Sequence, residues 1–170
     1  MDVGFQGFEV SPKRDCPHAR KTSRGGVLPE AFSLEVSPGQ NCQFEGCSYT
    51  PSASDRGSGL TNMWMCLTCN RTFCGRVVHG HAVSHAKNTG HTIALGFDDL
   101  SFWCYGESDG CSGCDFYIDN YSLEDLHPSY SWAHNLKFGS VPETPNFAAN
   151  ATASSDSGIS LVLETVSPKK

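Results

Sequence analysis

The chain has 170 residues, of which 38% are apolar, and it carries 18 Asp plus Glu against 12 Lys plus Arg for a formal net charge of −6. This length suits one domain of ordinary size, and no apolar run approaches the roughly 20 residues of a membrane-spanning helix. The acidic balance argues against nucleic acid as a partner, because such a partner calls for a clustered basic face.

Cysteine and histidine are the unusual feature of the composition, with nine cysteines and seven histidines. Disulfides would need an oxidising compartment, and the first residues, MDVGFQGFEVSPKRD, lack the apolar segment of a secretory signal. We therefore expect a cytoplasmic or nuclear protein whose cysteines bind metal. The small apolar share fits a core that is supplemented by metal sites.

The first forty-odd residues contain two candidate half-sites for a metal ion. Residues 1–13 are predicted to be a loose lead-in, and Cys16 and His18 follow, two residues apart, which in an extended strand would place both on one side. A short apolar stretch over residues 31–36 predicts one strand. Cys42 and Cys47 form the second half-site, and the Ser-, Gly- and Pro-rich residues 48–62 predict a surface loop.

Residues 63–91 hold the densest cluster of ligand candidates. Cys66 and Cys69 form a CxxC knuckle, whose tight turn lets two thiolates reach one ion. A helix over residues 79–88, ended by Gly90, would place His81 and His85 one turn apart on the same face. The remaining candidates are Cys74 and His91, whereas His79 falls outside the paired spacing and is expected to be an ordinary core histidine.

The rest of the chain predicts short strands followed by a tail. Apolar and β-branched residues favour strands near 91–95, 101–104 and 115–118, and Cys111 and Cys114 make a second CxxC. Residues 122–125 could open a short helix that Pro128 would end. The predicted fold class is therefore α+β, with short antiparallel strands, one or two helices pinned by metal, and a largely disordered tail over 128–170.

Once His79, His127 and His134 are set aside and only one of Cys111 and Cys114 is counted, twelve ligand candidates remain, which is enough for three closed tetrahedral sites. Zinc best suits this mixture of thiolate and imidazole ligands. A redox role for the CxxC pairs is disfavoured because no βαβ pattern surrounds them. Spacing alone does not say which half-sites share an ion, and either Cys111 or Cys114 could be the twelfth ligand.

Over residues 14–120 the sequence resembles the UBP-type ubiquitin-binding zinc finger, a family found in deubiquitinases and in a cytoplasmic histone deacetylase. The resemblance rests on CPH at 16–18, WxCLxC at 64–69, FCGR at 73–76, GHxxxHxxNxGH at 80–91, WCY at 103–105 and CxxY at 114–117. It implies a domain over 14–127 with three zinc ions. The implied ligand sets are Cys16, His18, Cys104 and Cys114; Cys42, Cys47, Cys74 and His81; and Cys66, Cys69, His85 and His91.

The sequence departs from the family pattern in two of these sets. The Cys42 to Cys47 spacing is wider than the usual CxxC, and an insert separates Cys104 from the last ligand. The DFYI segment that follows Cys114 directly favours Cys114 over Cys111.

The resemblance also implies that the domain binds the free carboxyl-terminal Gly-Gly of ubiquitin. Arg76 would pair with the terminal carboxylate, Trp64 and Trp103 would wall a narrow slot, and Tyr105 and Tyr117 would add hydroxyl hydrogen bonds. Val77 stands where relatives often have an aromatic residue. The chemistry is consistent, because a diglycine has no side chains and can be recognised only by slot width, main-chain hydrogen bonds and its terminal charge.

An enzymatic function is not expected. Once the metal ligands are assigned, no set of Cys, His and Asp or Asn remains for a thiol protease. The spacing of His81 and His85 is that of HExxH, but Ala82 takes the place of the glutamate that would act as general base. The alternative functions are a zinc-stabilised interaction module for another partner and an accessory subunit of a deubiquitinating complex.

Overall fold

The computed structural model describes residues 11–22, 41–106, 114–119 and 124–145, and its fold class is the α+β arrangement predicted from the sequence. None of the helices in these ranges is long and apolar enough to cross a membrane. The elements in chain order are α1 (Pro17–Thr22), α2 (Ala53–Ser58), β1 (Met63–Cys66), β2 (Thr72–Cys74), α3 (His81–Thr89), β3 (Ile93–Gly96), β4 (Phe102–Cys104), β5 (Phe116–Ile118) and α4 (His127–Phe138).

The strands form one antiparallel sheet in the order β2-β1-β3-β4-β5. The predicted strands near 91–95, 101–104 and 115–118 correspond to β3, β4 and β5, whereas β1 and β2 were not predicted. Each strand has only three or four residues, and the pairs Met65↔Leu95 and Leu95↔Phe102 fix the register across the middle of the sheet. Directly paired residues lie on the same face of a sheet, so this register decides which side chains meet.

One face of the sheet carries the hydrophobic core. Its fully buried side chains alternate along the strands with residues of the other face, as a period of two requires. They are Met63, Met65, Ile93, Leu95 and Phe102. Each such buried side chain contributes about 1.5–3 kcal/mol to the stability of the fold. The few residues of this face therefore supply much of the stability that the small sheet has without metal.

Helix α3 confirms the predicted central helix with slightly different bounds. It ends at Gly90, whose φ of 74° lies in the left-handed region and whose N–H bonds to the Ala86 carbonyl. The segment over 48–62 was predicted to be a surface loop, but it contains α2. A reciprocal capping box starts this short helix, in which Ser52 and Asp55 each accept the other's backbone N–H.

The segment around Cys16 differs from the predicted extended strand. Pro17 is the first residue of α1. Proline suits this position because its φ is already helical and because the N–H groups of the first turn have no partner within the helix. The end of the predicted lead-in is ordered, since Lys13 bridges to Ile118 and extends the edge at β5. Arg14 pairs with Asp119 at the same edge. The predicted strand over 31–36 lies outside the described residues.

Helix α4 contradicts the prediction that Pro128 ends a helix. The helix instead starts at His127 with Pro128 in its first turn, for the same reason as at α1. Leu126 and Ala133 join the core, and Lys137 donates to the Phe97 carbonyl at 2.9 Å. The first part of the region predicted as a tail therefore packs on the domain.

Candidate metal centres and binding slot

The twelve predicted ligands come together in three separate clusters. Within each cluster the potential ligand atoms all lie within 4.8 Å of one another. Cluster I contains Cys16, His18, Cys104 and Cys114; cluster II contains Cys42, Cys47, Cys74 and His81; cluster III contains Cys66, Cys69, His85 and His91. This is the grouping implied by the family resemblance, and it separates His81 from His85 although both lie on α3.

Cluster I joins the N-terminal segment to strands β4 and β5. His18 Nδ1 lies 3.4 Å from Cys104 Sγ and 3.5 Å from Cys114 Sγ, and Cys16 Sγ lies 3.9 Å from Cys114 Sγ. The first turn of α1 places Cys16 and His18 side by side. A hydrogen bond with Cys104 lowers the pKa of Cys16 to about 5, so one thiolate is available here at neutral pH.

Cluster II lies between the Cys42 turn, the end of β2 and the start of α3. His81 Nδ1 is 3.4 Å from Cys42 Sγ and 3.3 Å from Cys74 Sγ. His79, predicted to be a core histidine, is in fact exposed, and its Nδ1 lies 3.8 Å from Cys47 Sγ and 3.9 Å from Cys74 Sγ. The shorter distances favour His81 over His79 as the candidate ligand of this cluster.

Cluster III links the knuckle between β1 and β2 to α3 and the start of β3. Cys69 Sγ lies 3.4 Å from His85 Nε2, and the His85 and His91 rings meet at 5.2 Å. His91 Nδ1 is buried and has no hydrogen-bond partner, which is the condition expected of an imidazole nitrogen that coordinates a metal.

The distances within the clusters fit zinc. Bonds of about 2.3 Å to sulfur and 2.0–2.1 Å to nitrogen at tetrahedral angles give ligand–ligand edges of roughly 3.3–3.8 Å. Burial raises the pKa of Cys42 to about 12 and that of Cys66 to about 11, so without a cation both remain thiols at neutral pH. Zinc would bind the thiolates and release their protons.

Cys114 lies in cluster I, whereas Cys111 lies outside the described residues, so the preference for Cys114 stays a prediction. Zinc coordinates the thiolate form of cysteine, which oxidation would remove. Metal loading is therefore best measured under reducing conditions.

The opposite face of the sheet carries aromatic residues at the positions that the resemblance implies for a binding slot. The register pairs Trp103 with Tyr117 and with Ala94, and it pairs Trp64 with Gly96, so these residues share one face. Trp64 and Trp103 meet nearly perpendicular at 6.5 Å between ring centroids. Strand β3 lies between β1 and β4 and contributes only the small residues Ala94 and Gly96 to this face.

Arg76 lies over this aromatic group. Its guanidinium carbon lies 5.4 Å from the Trp103 ring centroid and 5.5 Å from that of Tyr105, within the range of cation–π contacts. The side chain is still 47% exposed. We name the set Trp64, Arg76, Trp103, Tyr105 and Tyr117 the slot residues; the structure brings all five predicted positions together.

Two further residues at the slot were not predicted. Asp115 forms an ion pair with Arg76 and accepts a hydrogen bond from Trp103 Nε1 at 2.9 Å. Gly75 is required by close approach, because a Cβ there would lie 2.6 Å from Trp64 Nε1 and closer still to Asn62 Oδ1. The FCGR motif contains Gly75, so its role could have been suspected; nothing in the sequence pattern signals Asp115.

The chain is similar to known proteins over the same region. Residues 42–121 match the family described as Zn-finger in ubiquitin-hydrolases and other protein. Histone deacetylase 6 of Caenorhabditis elegans is 42% identical over 139 residues, which cover 82% of this chain and 12% of the deacetylase. NAD-dependent deacetylase sir2A of Dictyostelium discoideum is 44% identical over 63 residues, which cover 37% of this chain and 11% of that protein.

A third relative is named as a ubiquitin hydrolase and not as a deacetylase. Ubiquitin carboxyl-terminal hydrolase 14 of Schizosaccharomyces pombe is 36% identical over 84 residues, which cover 46% of this chain and 10% of the hydrolase. The chain thus spans only about a tenth of each of these relatives.

Proposed function

The chain belongs, through residues 42–121, to the zinc fingers of ubiquitin hydrolases and other proteins, and we propose that it is a non-catalytic module binding the free carboxyl-terminal Gly-Gly of ubiquitin. The observation that carries the proposal is the state of Arg76. Its guanidinium lies over two aromatic rings of the slot and already holds a carboxylate, that of Asp115. This position is therefore suited to the terminal carboxylate of a ligand.

The shape of the slot supports glycine as the residue behind that carboxylate. The walls are large rings, and the floor consists of Ala94 and Gly96. A Cβ on Gly96 would already approach Trp64 to 3.2 Å, so the space above β3 is narrow. An extended main chain without side chains fits such a space, and its N–H and C=O groups need nearby partners.

The two tyrosines would supply part of that hydrogen bonding. Burial raises the pKa of both Tyr105 and Tyr117. Both hydroxyls therefore stay protonated at neutral pH and can donate hydrogen bonds. Neutral hydroxyls also avoid placing a second negative charge next to the ligand carboxylate.

Three observations support binding rather than catalysis. Every cysteine within the described residues belongs to one of the metal clusters, and four protein ligands leave no open position for a reactive water. The matched relatives are named for two deacetylases and a ubiquitin hydrolase. A segment shared by enzymes with such different reactions is best explained as a module outside their catalytic chemistry.

The thiolates of the metal clusters suit a reducing compartment, the cytoplasm or the nucleus.

The proposal is tested from the ligand side by calorimetry. We expect intact ubiquitin to bind, and ubiquitin lacking its last two glycines or carrying an amidated terminus to bind at least about tenfold more weakly. The amidated form lacks the charge that Arg76 would bind, and the shortened form carries its carboxylate on a tail two residues too short to reach Arg76. Equal binding of the three forms would exclude recognition of the free terminus and favour an interaction module for another partner.

Substitution of Gly75 provides a test of slot width. Adding a methyl group to a filled space costs about 1–3 kcal/mol, and here the new Cβ would push against Trp64 and Asn62. We expect Gly75→Ala to weaken ubiquitin binding about tenfold while zinc content is retained. Gly57→Ala is the matched control, because a Cβ at Gly57 in α2 meets nothing within 4 Å. Unchanged binding by Gly75→Ala would show that Trp64 does not limit the slot.

A further inference from the structure

We propose, on the basis of the proposed function, that Asp115 is an internal competitor for the anchor of the slot. Its carboxylate holds Arg76 in the free protein, and the terminal carboxylate of ubiquitin must displace it to bind. Asp115 would then reduce the affinity of the module for every ligand that ends in a free carboxylate.

The contacts of Asp115 are those expected of a bound carboxylate. One oxygen, Oδ1, receives both the Arg76 guanidinium and the Trp103 indole N–H, the latter at 2.9 Å. Both donors belong to the slot residues. An incoming carboxylate would need the same guanidinium, and two carboxylates cannot share it without repelling each other.

The backbone determines the position of this carboxylate. Asp115 has a φ of 77°, in the left-handed region that Asp and Asn tolerate better than most residues. Its N–H bonds to the Cys104 carbonyl at 2.9 Å, and β5 begins at the next residue. This hydrogen bond and the start of β5 therefore fix the backbone from which the short Asp115 side chain reaches Arg76.

The pair is nevertheless weak enough to exchange. The Arg76 side chain is 47% exposed and that of Asp115 is 37% exposed, so water can solvate Asp115 when it leaves. Exposed ion pairs contribute only about 0.2–1 kcal/mol. A buried pair would block the site, whereas this one lowers affinity by a modest factor.

The test compares two aspartates that lie four positions apart. Asp115→Asn removes the charge while keeping a residue that accepts a positive φ, and Asp119→Asn removes the same charge from a residue that pairs with Arg14. We expect Asp115→Asn to bind intact ubiquitin about two- to fivefold more tightly, corresponding to the strength of an exposed pair. Asp119→Asn should leave the affinity unchanged, and amidated ubiquitin should gain nothing from either substitution.

A second variant keeps the test decisive if Asp115→Asn loses zinc from the neighbouring cluster. Asp115→Gly also removes the carboxylate and is fully compatible with the positive φ. Weaker binding by both variants at full zinc content would overturn the proposal and make Asp115 a positioning residue for Arg76 and Trp103. If wild type and Arg76→Ala instead bind ubiquitin equally, or if no variant binds it, the proposed function itself fails.

Discussion

Arg76→Ala should weaken the binding of intact ubiquitin by roughly 10- to 100-fold. The expected loss is that of a hydrogen bond to a charged group, about 1.5–3 kcal/mol. The effect should lie toward the upper end, because the substitution also leaves the Asp115 carboxylate without its guanidinium at the place where the ligand carboxylate must lie. Calorimetric titration of both proteins with intact ubiquitin measures the ratio.

Arg71→Ala is the control for this substitution. Arg71 also lies over an aromatic ring, with its guanidinium carbon 5.4 Å from the Phe73 centroid, but it bonds to the Gln43 carbonyl away from the slot. Its loss changes the net charge equally and should leave ubiquitin affinity within about twofold. A similar loss for both arginines would point to long-range electrostatics in place of a specific anchor.

Cys16→Ser should reduce the zinc content from three ions to two and destabilise the whole domain. A structural zinc site supplies an apparent 10–16 kcal/mol in finger peptides, and loss of even about 3 kcal/mol lowers the melting temperature of a small domain by roughly 12–24 °C. The effect should be global because cluster I ties α1 to strands β4 and β5. Elemental analysis and thermal melting in reducing buffer measure the two quantities.

Arg14→Ala removes another contact of this segment without touching the cluster. Arg14 pairs with Asp119 at 3.1 Å, but its side chain is 64% exposed, so its loss should cost under about 1 kcal/mol. If Cys16→Ser retained three ions and melted like wild type, cluster I would not be a structural zinc site.

The sequence predicted the metal clusters better than the strands that carry them. CxxC and GHxxxH spacings indicate the ligands directly, and the positive φ of Gly90 ends α3 as expected. Strands β1 and β2 were missed because they are short and the β1 residues Met63, Trp64, Met65 and Cys66 are all apolar, which hides any period of two. Pro128 was misread because proline both follows helix ends and fits first turns.

The slot was predicted only as far as family motifs reach. Those motifs mark Arg76 and Trp103, but the function of Asp115 depends on a left-handed backbone conformation between a metal ligand and a strand. A carboxylate at such a position has no periodicity or spacing to distinguish it from the other acidic residues. Only the folded structure shows that the Asp115 carboxylate pairs with Arg76.

Three consecutive residues at β4 serve both the metal and the slot. Trp103 and Tyr105 face the aromatic side of the sheet, and Cys104 between them points to cluster I. Loss of the cluster I zinc site would displace Cys104 and with it the rings of Trp103 and Tyr105. A relative without this zinc site would therefore have a disrupted slot, and selection would no longer maintain the slot residues. We therefore expect Cys104, Trp103 and Tyr105 to be kept or lost together among relatives, while α2, which takes part in neither set, is free to diverge.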